Sequence, residues 1–388
     1  MNVPNFASFV ALALSCTLAA GQSDPSHGAL ATPNELLLKD YRPRSIFKVN
    51  ETRIEKARHP LIDMHTHVRV NTREEVTRWI HTLDSVGVEK AVVLVGATGE
   101  AFDEAAQLLR EHADRFELWC GLDFHGHSQP MFSDRIVAEL ERCHRLGARG
   151  VGELIDKGRG LSILRRQAGK VSEYPEMGSA EGLHLDDPRL DGVLEKCGDL
   201  GMPVNIHVAE PRWMYEAMDA SNDGLMPALR WKVSKDPGVV QFDEMIATLD
   251  RAAVKHPRTT FIACHFANTG HDLAILGGML DKHANLYADT GARFGEIAAI
   301  PRHSAEFFVK YQDRLLYGTD LTQTADMYRG TFRVFESLDE HFYHRTISGY
   351  QWPLHGLGLS DGVLRKIYSE NARKVLARGP ANAAPKAD

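Results

Sequence analysis

The first apolar run beyond residue 59 reads Leu61-Ile62-Asp63-Met64-His65-Thr66-His67. A short, largely apolar run of this kind predicts a buried β-strand. Side chains two residues apart in a strand share a face, so His65 and His67 are expected side by side. Asp63 is expected on the same face one layer deeper, either as a carboxylate that supports the site by a hydrogen bond or as a plainly buried one. Two imidazoles on a rigid strand suit a divalent metal, although a lone His-x-His pair also occurs as two half-buried structural histidines.

The same kind of apolar run recurs along the chain, and each run ends in polar residues. The eight runs are 61–68, 90–96, 117–124, 148–155, 203–210, 259–268, 286–293 and 314–321. Continuous apolar strands that alternate with helical segments predict a parallel sheet buried on both faces. Eight such units favour a (β/α)₈ TIM barrel. An open doubly wound sheet is the alternative, but its usual glycine-rich turn after the first strand is replaced here by histidines.

The segments between the runs carry helical signals. Residues 74–83 repeat apolar side chains at helical spacing, and Asp187-Pro188 predicts an N-cap followed by a first-turn proline. Gly87, Gly147 and Gly201 each stand where a helix C-cap is expected before the next strand.

Three connections are longer than ordinary barrel loops. They span residues 156–186, 211–243 and 322–360, after the fourth, fifth and eighth strands. Connections after strands lie at the carboxyl face of a barrel, so these insertions are expected to act as lids or substrate walls, or else to decorate the surface.

The bulk composition is that of an ordinary globular protein. The 388 residues are 43% hydrophobic and 25% charged, and the net charge is −7. A nucleic-acid-binding protein would show a basic excess, so a small-molecule substrate is the expected partner and nucleic acid is not. A homodimer is compatible with this composition.

The N-terminal region reads as an export signal. An apolar stretch over 6–15 is followed by small residues at 19–21, and it is too short to cross a bilayer. Residues 2–5 carry no Lys or Arg, so a disordered apolar tail is the alternative. Cys16 lies in a weak lipid-anchor pattern, since Ala13 stands where leucine is expected. The expected organisation is a signal peptide over 1–21 that directs the chain to the periplasm or exterior, an arm over 22–59, a barrel domain over 60–377 and a disordered tail over 378–388.

Disulfide bonds are not expected to be the basis of the fold. The cysteines beyond the signal are Cys120, Cys143, Cys197 and Cys264, and they are scattered without a close pair. Cys120 and Cys264 lie in apolar runs, where a free cysteine behaves as a small buried hydrophobe.

Three further polar residues end apolar runs. His207 ends the fifth run, His265 lies late in the sixth and Asp320 lies late in the eighth. If the barrel closes, all of them converge with His65 and His67 on one rim, because the carboxyl ends of parallel strands meet there.

With these residues the sequence resembles the amidohydrolase superfamily, and within it the amidohydrolase-related (amidohydrolase-2) branch. The matching segments are 62–67, 205–207, 264–265, 318–320 and the late helix 367–372. The resemblance covers about residues 60–377. It is specific for the superfamily and not for a substrate.

The resemblance implies roles for these residues. His65, His67 and His207 would be metal ligands, and Asp320 would be both a ligand and the general base. His265 would stabilise the developing oxyanion in one-metal members and bind the second metal in two-metal members. The implied cofactor is a divalent metal, Zn²⁺ or alternatively Mn²⁺, that lowers the pKa of its bound water to about 7.

Three residues at the predicted rim keep more than one interpretation. Glu153 at the fourth strand end would bridge two metals, bind one metal or orient a ligand, or else pair structurally with Lys157 or Arg149. Arg293 would clamp a substrate carboxylate or form an ordinary ion pair with Glu296 or Asp289. Trp213, with Tyr215, would form a substrate wall or pack within its own insertion.

The predicted function is metal-dependent hydrolysis of an ester, lactone or amide. The alternative is a metal-dependent non-oxidative decarboxylase of the same family. A binding module that has lost catalysis is disfavoured, because every motif position is filled. No Gly-x-Ser-x-Gly elbow and no P-loop occur in the sequence.

Overall fold

In the computed structural model, which describes residues 32–165 and 176–377, eight parallel strands alternate with helices. The strand order along the sheet follows the chain, as a (β/α)₈ barrel requires. The predicted fold is therefore confirmed. Predictions for residues 1–21, Cys16 and the tail 378–388 lie outside the described residues.

Ten strands occur in the described residues. They are β1 (Leu61–Thr66), β2 (Val88–Leu94), β3 (Phe116–Cys120), β4 (Gly150–Asp156), β5 (Ser162–Arg165), β6 (Glu176–Ser179), β7 (Val204–Val208), β8 (Phe261–Ala263), β9 (Leu286–Asp289) and β10 (Leu315–Leu316). All except β5 and β6 belong to the barrel, and those two form an antiparallel hairpin after β4.

The helices lie between the strands and in the insertions. They are α1 (Arg73–Val86), α2 (Gly99–Leu109), α3 (Phe132–Arg145), α4 (Asp191–Leu200), α5 (Leu225–Trp231), α6 (Phe242–Lys255), α7 (Leu273–Lys282), α8 (Phe294–Ile297), α9 (Pro301–Lys310), α10 (Ala325–Glu336), α11 (Asp361–Arg365) and α12 (Asn371–Leu376). A π-turn, Lys366–Glu370, joins the last two helices. Right-handed 3₁₀ turns lie at Pro33–Glu35, Leu38–Asp40, Arg110–His112, Pro188–Leu190 and Arg212–Met214, and a left-handed turn spans Cys264–Asn268.

Backbone hydrogen bonds join the last strand segment to the first. The N–H of Met64 donates to the carbonyl of Tyr317 at 2.9 Å, and the N–H of Asp320 donates to the carbonyl of His65 at 2.8 Å. These bonds bring the Gly318–Asp320 segment against the His65–His67 segment and close the ring where the predicted site lies.

Apolar side chains from six neighbouring strands form a cluster within the ring. It contains Ile62, Met64, Val92, Leu94, Trp119, Ile262, Tyr287 and Leu316, with Ala372 and Val375 of α12. A larger apolar cluster fills the space between the strands and the surrounding helices. Burial on both faces explains why the strands read as continuous apolar runs.

The capping signals in the sequence are found in the structure. Thr72 and Glu75 form a reciprocal capping box at the start of α1. Gly87 and Gly201 end α1 and α4 in the left-handed conformation, and Gly147 follows α3 with a φ of 109°. The Asp187 side chain accepts a hydrogen bond from the N–H of Arg189, as an N-cap does.

The three long connections follow β4, β7 and β10, as predicted. The first contains the β5–β6 hairpin, the second contains α5 and the third contains α10. They lie at the carboxyl ends of the barrel strands, where TIM-barrel active sites are built.

Among the described residues, 32–41 belong to one unit and those from 42 to 377 belong to a second, compact unit. Within the second unit, the segment before β1 is tied to α10 and the residues after it. Asp339 accepts hydrogen bonds from the N–H and the hydroxyl of Thr52 at 2.7 and 2.6 Å, and from Nε of Arg333 at 2.7 Å. No helix in the described part of the chain has the length and apolar character needed to cross a membrane.

Candidate metal centre

Polar side chains from six of the barrel strands meet at the carboxyl face. They are His65 from β1 and His67 directly after it, Glu153 from β4, His207 from β7, His265 after β8, Asp289 at the end of β9 and Asp320 after β10. The structure thus brings all of the predicted ligands and catalytic residues to one place. Asp289 joins them without having been predicted as part of the site.

His65 is oriented by Asp289. Nδ1 of His65 lies 2.9 Å from Oδ2 of Asp289, and both side chains are fully buried. Asp289 is itself held by the Nδ2 group of Asn205 at 3.1 Å and by the N–H groups of His265 and Gly291 at 3.0 and 2.9 Å. This arrangement leaves Nε2 of His65 buried, without a hydrogen-bond partner and facing the cluster.

His67 and His265 are oriented by backbone carbonyls. Nδ1 of His67 lies 3.0 Å from the carbonyl oxygen of Leu94, and Nδ1 of His265 lies 2.7 Å from that of Gly291. A carbonyl only accepts hydrogen bonds, so each Nδ1 carries the proton and each neutral ring has its lone pair on Nε2. Fixing the tautomer by a hydrogen bond on the far nitrogen is typical of metal-binding histidines.

Two carboxylates lie against these Nε2 atoms. Nε2 of His67 is 3.1 Å from Oδ1 of Asp320, and Nε2 of His265 is 3.1 Å from Oε1 of Glu153. Nε2 of His65 is 3.8 Å from both Glu153 and Asp320. A lone pair and a carboxylate oxygen are both acceptors, so a proton or a metal ion must lie between them. The donor set therefore fits a divalent cation.

Glu153 has a histidine pair at each of its two oxygens. Oε1 lies 3.2 Å from Nδ1 of His207 and 3.1 Å from Nε2 of His265. Oε2 lies 3.5 Å from Nε2 of His67 and 3.8 Å from Nε2 of His65. The alternative structural pairing is not found, because Lys157 pairs with Glu210 and Arg149 donates to backbone carbonyls.

His207 is oriented in the opposite sense from the other three histidines. Its Nδ1 faces Glu153, and its Nε2 lies 3.6 Å from Oε2 of Glu210. Glu210 is buried and forms an ion pair with Lys157. The described residues contain two compact groups of potential ligand atoms. One is His65 with His67 and Asp320, and the other is His65 with Glu153, Cys264 and His265. His207 belongs to neither group and contacts the cluster through Glu153.

Cys264 is poorly suited to bind a metal in spite of its position. Its thiol donates to Oδ1 of Asn205 at 2.6 Å. Burial and the neighbouring carboxylates Asp289 and Glu153 raise the pKa of the thiol well above its ordinary value. The thiolate is the ligand form of cysteine, so Cys264 supports Asn205 instead. The four described cysteines of the barrel are all free and buried.

The electrostatics of the cluster favour positive charge. Burial opposes protonation of His67, but Asp320 and Glu153 outweigh it and raise its pKa to about 9. The reverse holds for the acids: burial opposes their ionisation, yet the histidines hold the pKa of Asp320 and of Glu153 below the ordinary range. Burial, and next the charge of Arg293, lowers the pKa of His265, which favours its neutral form. Divalent cations would take the place of the protons on the other imidazoles.

Left-handed backbone accompanies the site residues. His265, Phe266, Ala267 and Asn268 have φ between 52° and 59°, and Ala209, Ala292 and Asp320 also have positive φ. For residues other than glycine this conformation costs roughly 1–2 kcal/mol each. All of these positions lie within five residues of the end of β7, β8, β9 or β10, beside the cluster, and strained backbone is common at functional sites.

Asp63 is a fully buried carboxylate that supports β1 by hydrogen bonds, and it accepts one from the backbone N–H of His65 at 3.2 Å. Its carboxylate accepts hydrogen bonds from the hydroxyls of Thr319 at 2.6 Å and Tyr328 at 2.9 Å, and it does not contact the imidazole of His65. The register of β1 against β2 shifts between Asp63 and Thr66, so the strict alternation of side chains fails there. Asp63 therefore fastens β1 to the Thr319 segment and to α10.

Arg293 lies beside the site with its guanidinium already engaged. It donates from Nε and Nη2 to Oδ1 of Asn268, with the Nε contact at 3.1 Å, and Nε lies 3.5 Å from Glu296. Asp289, the other partner considered, is bonded to His65 instead. The contacts fit an ordinary ion pair with Glu296, and a substrate clamp stays a prediction.

Trp213 packs on Gly224 of its own insertion and also against the insertion after β10. Its ring centroid lies 5.6 Å from that of Tyr350 and 6.0 Å from that of Trp352, and the latter two are stacked at 4.0 Å. The connections after β7 and β10 therefore share an aromatic cluster. Tyr215 packs instead on Phe242, and its hydroxyl accepts from the N–H of Glu210.

Sequence reasoning missed Asp289, Asn205 and Glu210. Asp289 and Asn205 lie in barrel strands, as His65, Glu153 and His207 do, so their position in an apolar run was an available signal. Glu210 lies three residues beyond His207, but its contact depends on how the chain turns after β7.

Comparisons with solved structures show the barrel fold. A TIM-barrel protein of Bordetella bronchiseptica matches with a TM-score of 0.51 at 15% identity, over 82% of this chain and 99% of that one. A 2,6-dihydroxybenzoate decarboxylase from Rhizobium matches at 0.47 and 15% identity, over 82% and 98%. An amidohydrolase from Burkholderia multivorans with bound zinc matches at 0.46 and 11% identity, over 82% and 100%. No curated protein matches the chain.

The sequence itself is similar to a known family. The amidohydrolase family model (Amidohydro_2) matches residues 62–378, which include every strand of the barrel and every side chain of the cluster. The chain therefore belongs to the amidohydrolase family.

Proposed function

We propose that the protein is a hydrolase that uses two divalent cations to direct water at the carbonyl carbon of an ester, lactone or amide. The observation that carries this proposal is the position of Glu153. One of its oxygens faces His207 and His265, and the other faces His65 and His67. A carboxylate between two sets of imidazoles is suited to bridge two cations.

The residues divide into two ligand sets around Glu153. His65, His67 and Asp320 form one set, and His207 and His265 form the other. His265 was expected to donate a hydrogen bond to the substrate if only one metal binds. That role needs a proton on Nε2, whereas the bond from Nδ1 to the Gly291 carbonyl and the lowered pKa favour a lone pair there. We therefore place His265 among the ligands, as in the two-metal alternative.

Divalent cations bound there would lower the pKa of a water molecule toward neutrality and polarise the substrate carbonyl. Asp320 would accept the proton of the attacking water and pass it to the leaving group. Its side chain is 23% exposed and that of His67 is 22% exposed, whereas His65 and His265 are buried. The substrate would therefore approach on the side of Asp320 and His67.

The nature of the ligands narrows the choice of cation. Imidazole nitrogens and carboxylate oxygens suit Zn²⁺, and they also accept Mn²⁺. We propose Zn²⁺ as the resident ion, with Mn²⁺ as the alternative.

Metal analysis of the purified, tag-free protein by plasma mass spectrometry tests the metal centre. We expect about two equivalents of divalent metal per chain. The His65→Ala/His67→Ala variant should lose metal, and Glu153→Gln should retain about one equivalent or less, because a neutral amide cannot bridge two cations. His81→Ala, an exposed histidine on α1, is the matched control and should retain the full content. Unchanged metal content in Glu153→Gln would contradict the bridging role.

A panel of esters, lactones, amides and aromatic carboxylic acids tests the reaction. We expect metal-dependent acid or amine release from one of the first three classes. Metal-dependent release of carbon dioxide from a carboxylic acid, without hydrolysis of any other compound, would instead establish the decarboxylase alternative.

A further inference from the structure

A cavity of about 400 Å³ lies between the insertions after β4 and β7. Its walls are the turn after β4, the β5–β6 hairpin and the end of α5 with the residues that follow it. Glu210 also lines the cavity, and this residue lies 3.6 Å from His207 of the metal centre. The cavity is thus separated from the cluster by a single side chain.

The charges that line this cavity are predominantly positive. Lys157, Arg159, Arg230 and Lys232 line it, and Glu210 is the single acid among its lining residues. Glu210 pairs with Lys157, and Arg159 lies 3.2 Å from Asp236 outside the cavity. Within the described residues, Arg230 and Lys232 form no ion pair. A concentration of cations in a cleft is unexpected for a chain with a net charge of −7, and it creates a local field that attracts anions.

The cationic side chains are presented from fixed backbone. Asp156 accepts hydrogen bonds from the N–H groups of Gly158 and Gly160 at 3.0 and 3.3 Å, which fixes the turn that carries Lys157 and Arg159. A Cβ at Gly158 or Gly160 would lie 2.4 or 2.1 Å from a backbone oxygen, so this turn is closely packed. The opposite wall is anchored by the 2.8 Å bond from the N–H of Val233 to the carbonyl of Met214.

Apolar groups complete the cavity beside the cations. Nζ of Lys157 lies 4.8 Å from the centroid of the Trp231 ring, and Cζ of Arg230 lies 5.1 Å from it. Val233 and Val239 also line the cavity. A ligand would therefore meet the two cationic side chains and the aromatic ring next to one another, with aliphatic side chains also in the lining.

We propose that this cavity binds a small organic anion, with its carboxylate or phosphate group at Arg230, Lys232 and Lys157 and its carbon skeleton against Trp231 and Val239. Guanidinium and ammonium groups recognise both kinds of anion by charge-assisted hydrogen bonds. The volume is that of a small-molecule site. The assignment does not depend on the hydrolase proposal, because anion binding in this cavity needs neither the divalent metal ions nor turnover.

Isothermal titration calorimetry with inorganic phosphate, with succinate and with neutral succinamide tests this site. We expect phosphate or succinate to bind the purified protein and succinamide not to bind. Arg230→Gln/Lys232→Gln should weaken the anion about tenfold or more, since two charged hydrogen-bond donors are removed. The matched control is Lys48→Gln/Arg302→Gln, which removes the same charge at two exposed positions away from the cavity and should bind as the original protein does.

The two probes separate the two sources of the anionic group. Binding of phosphate alone indicates a phosphate ester, and binding of succinate indicates a carboxylic acid. The proposal is overturned if neither anion binds at about 10 mM, or if both double variants lose affinity equally, which would show a general effect of net charge. It is also overturned if His65→Ala/His67→Ala abolishes binding while Arg230→Gln/Lys232→Gln retains it, because the anion would then be held at the metal centre.

Discussion

Oδ2 of Asp289 lies 2.9 Å from Nδ1 of His65, and both side chains are fully buried. The carboxylate holds the imidazole in the orientation that directs Nε2 into the cluster. Three further donors hold the carboxylate, namely the side chain of Asn205 and the N–H groups of His265 and Gly291. Asp289 therefore links β1, β7, β9 and the turn after β8 behind the candidate metal centre.

Replacing Asp289 with Asn should weaken metal binding without removing a ligand. The amide is the same size but lacks the charge that supports His65, and the loss of such a supporting carboxylate typically costs about 10–100-fold in metal affinity. Competition with a zinc chelator measures the change. Asp243→Asn, at an exposed position on α6, is the control and should bind metal normally. Equal affinity in Asp289→Asn and the original protein would show that His65 needs no support.

Replacing Asp320 with Asn should reduce turnover far more than metal content. The amide cannot accept the proton of the attacking water, and loss of a general base typically costs about 10²–10⁴-fold in rate. The kcat of hydrolysis is measured on a substrate identified from the panel, together with metal analysis of the same sample. Asp326→Asn, whose side chain is 69% exposed at the start of α10, should keep both values. A near-normal kcat in Asp320→Asn would exclude it as the base.

Replacing Asp339 with Asn should lower the free energy of unfolding relative to the original protein. This loss should be larger at neutral pH than at low pH. Burial opposes ionisation of Asp339, but the hydrogen bonds from Thr52 and Arg333 outweigh it and lower its pKa. A carboxylate with a lowered folded-state pKa contributes stability above its unfolded-state pKa, and that contribution is lost as the pH falls through the folded-state value. Hydrogen bonds to a charged group suggest a cost of about 1.5–3 kcal/mol at pH 7.

Urea unfolding of both proteins between pH 7 and pH 3 measures this difference. Asp326→Asn, an exposed carboxylate at the start of α10, is the control and should show little change at any pH. A stability difference that stays constant over the whole range would contradict a role for the charge of Asp339.

The sequence predicted the barrel and the convergence of the ligands for a simple physical reason. In a parallel barrel all strands end at one face, so a polar residue late in an apolar run is placed there without knowledge of its neighbours. His65, Glu153 and His207 follow this rule within their strands, and His67 directly follows β1. His265 and Asp320 follow their strands, where the chain has already left the β conformation.

The sequence did not predict which side chains support the ligands. The bond from His65 to Asp289 joins residues 224 positions apart, and nothing in either local pattern pairs them. Asp63 was expected on the face of His65 because strands alternate, but the register shift within β1 breaks that alternation. The left-handed turn at His265 contains no glycine, so the sequence does not predict it, and the surrounding packing holds the backbone in this conformation.

Replacing Gly318 with Ala should disturb both the fold and the metal centre. A Cβ at Gly318 would lie 2.8 Å from Cβ of His65 and 3.3 Å from Cβ of Asp289, so β10 and β1 cannot keep their present separation. Overpacking of this kind typically costs about 1–3 kcal/mol of unfolding free energy. Because the clash displaces His65 itself, metal affinity should fall as well. Urea unfolding and chelator competition measure the two effects.

Gly278→Ala on α7 is the matched control for this substitution. A Cβ at Gly278 meets nothing within 4 Å, and the position is within a helix. Alanine there should stabilise the protein by about 0.5–1 kcal/mol, because glycine loses more backbone entropy on entering a helix. Metal affinity should not change in this control. Lower stability with unchanged metal affinity in Gly318→Ala would contradict the predicted effect on His65. In that case His65 can move without losing its ligand geometry, and the close approach of Gly318 to β1 contributes only to packing.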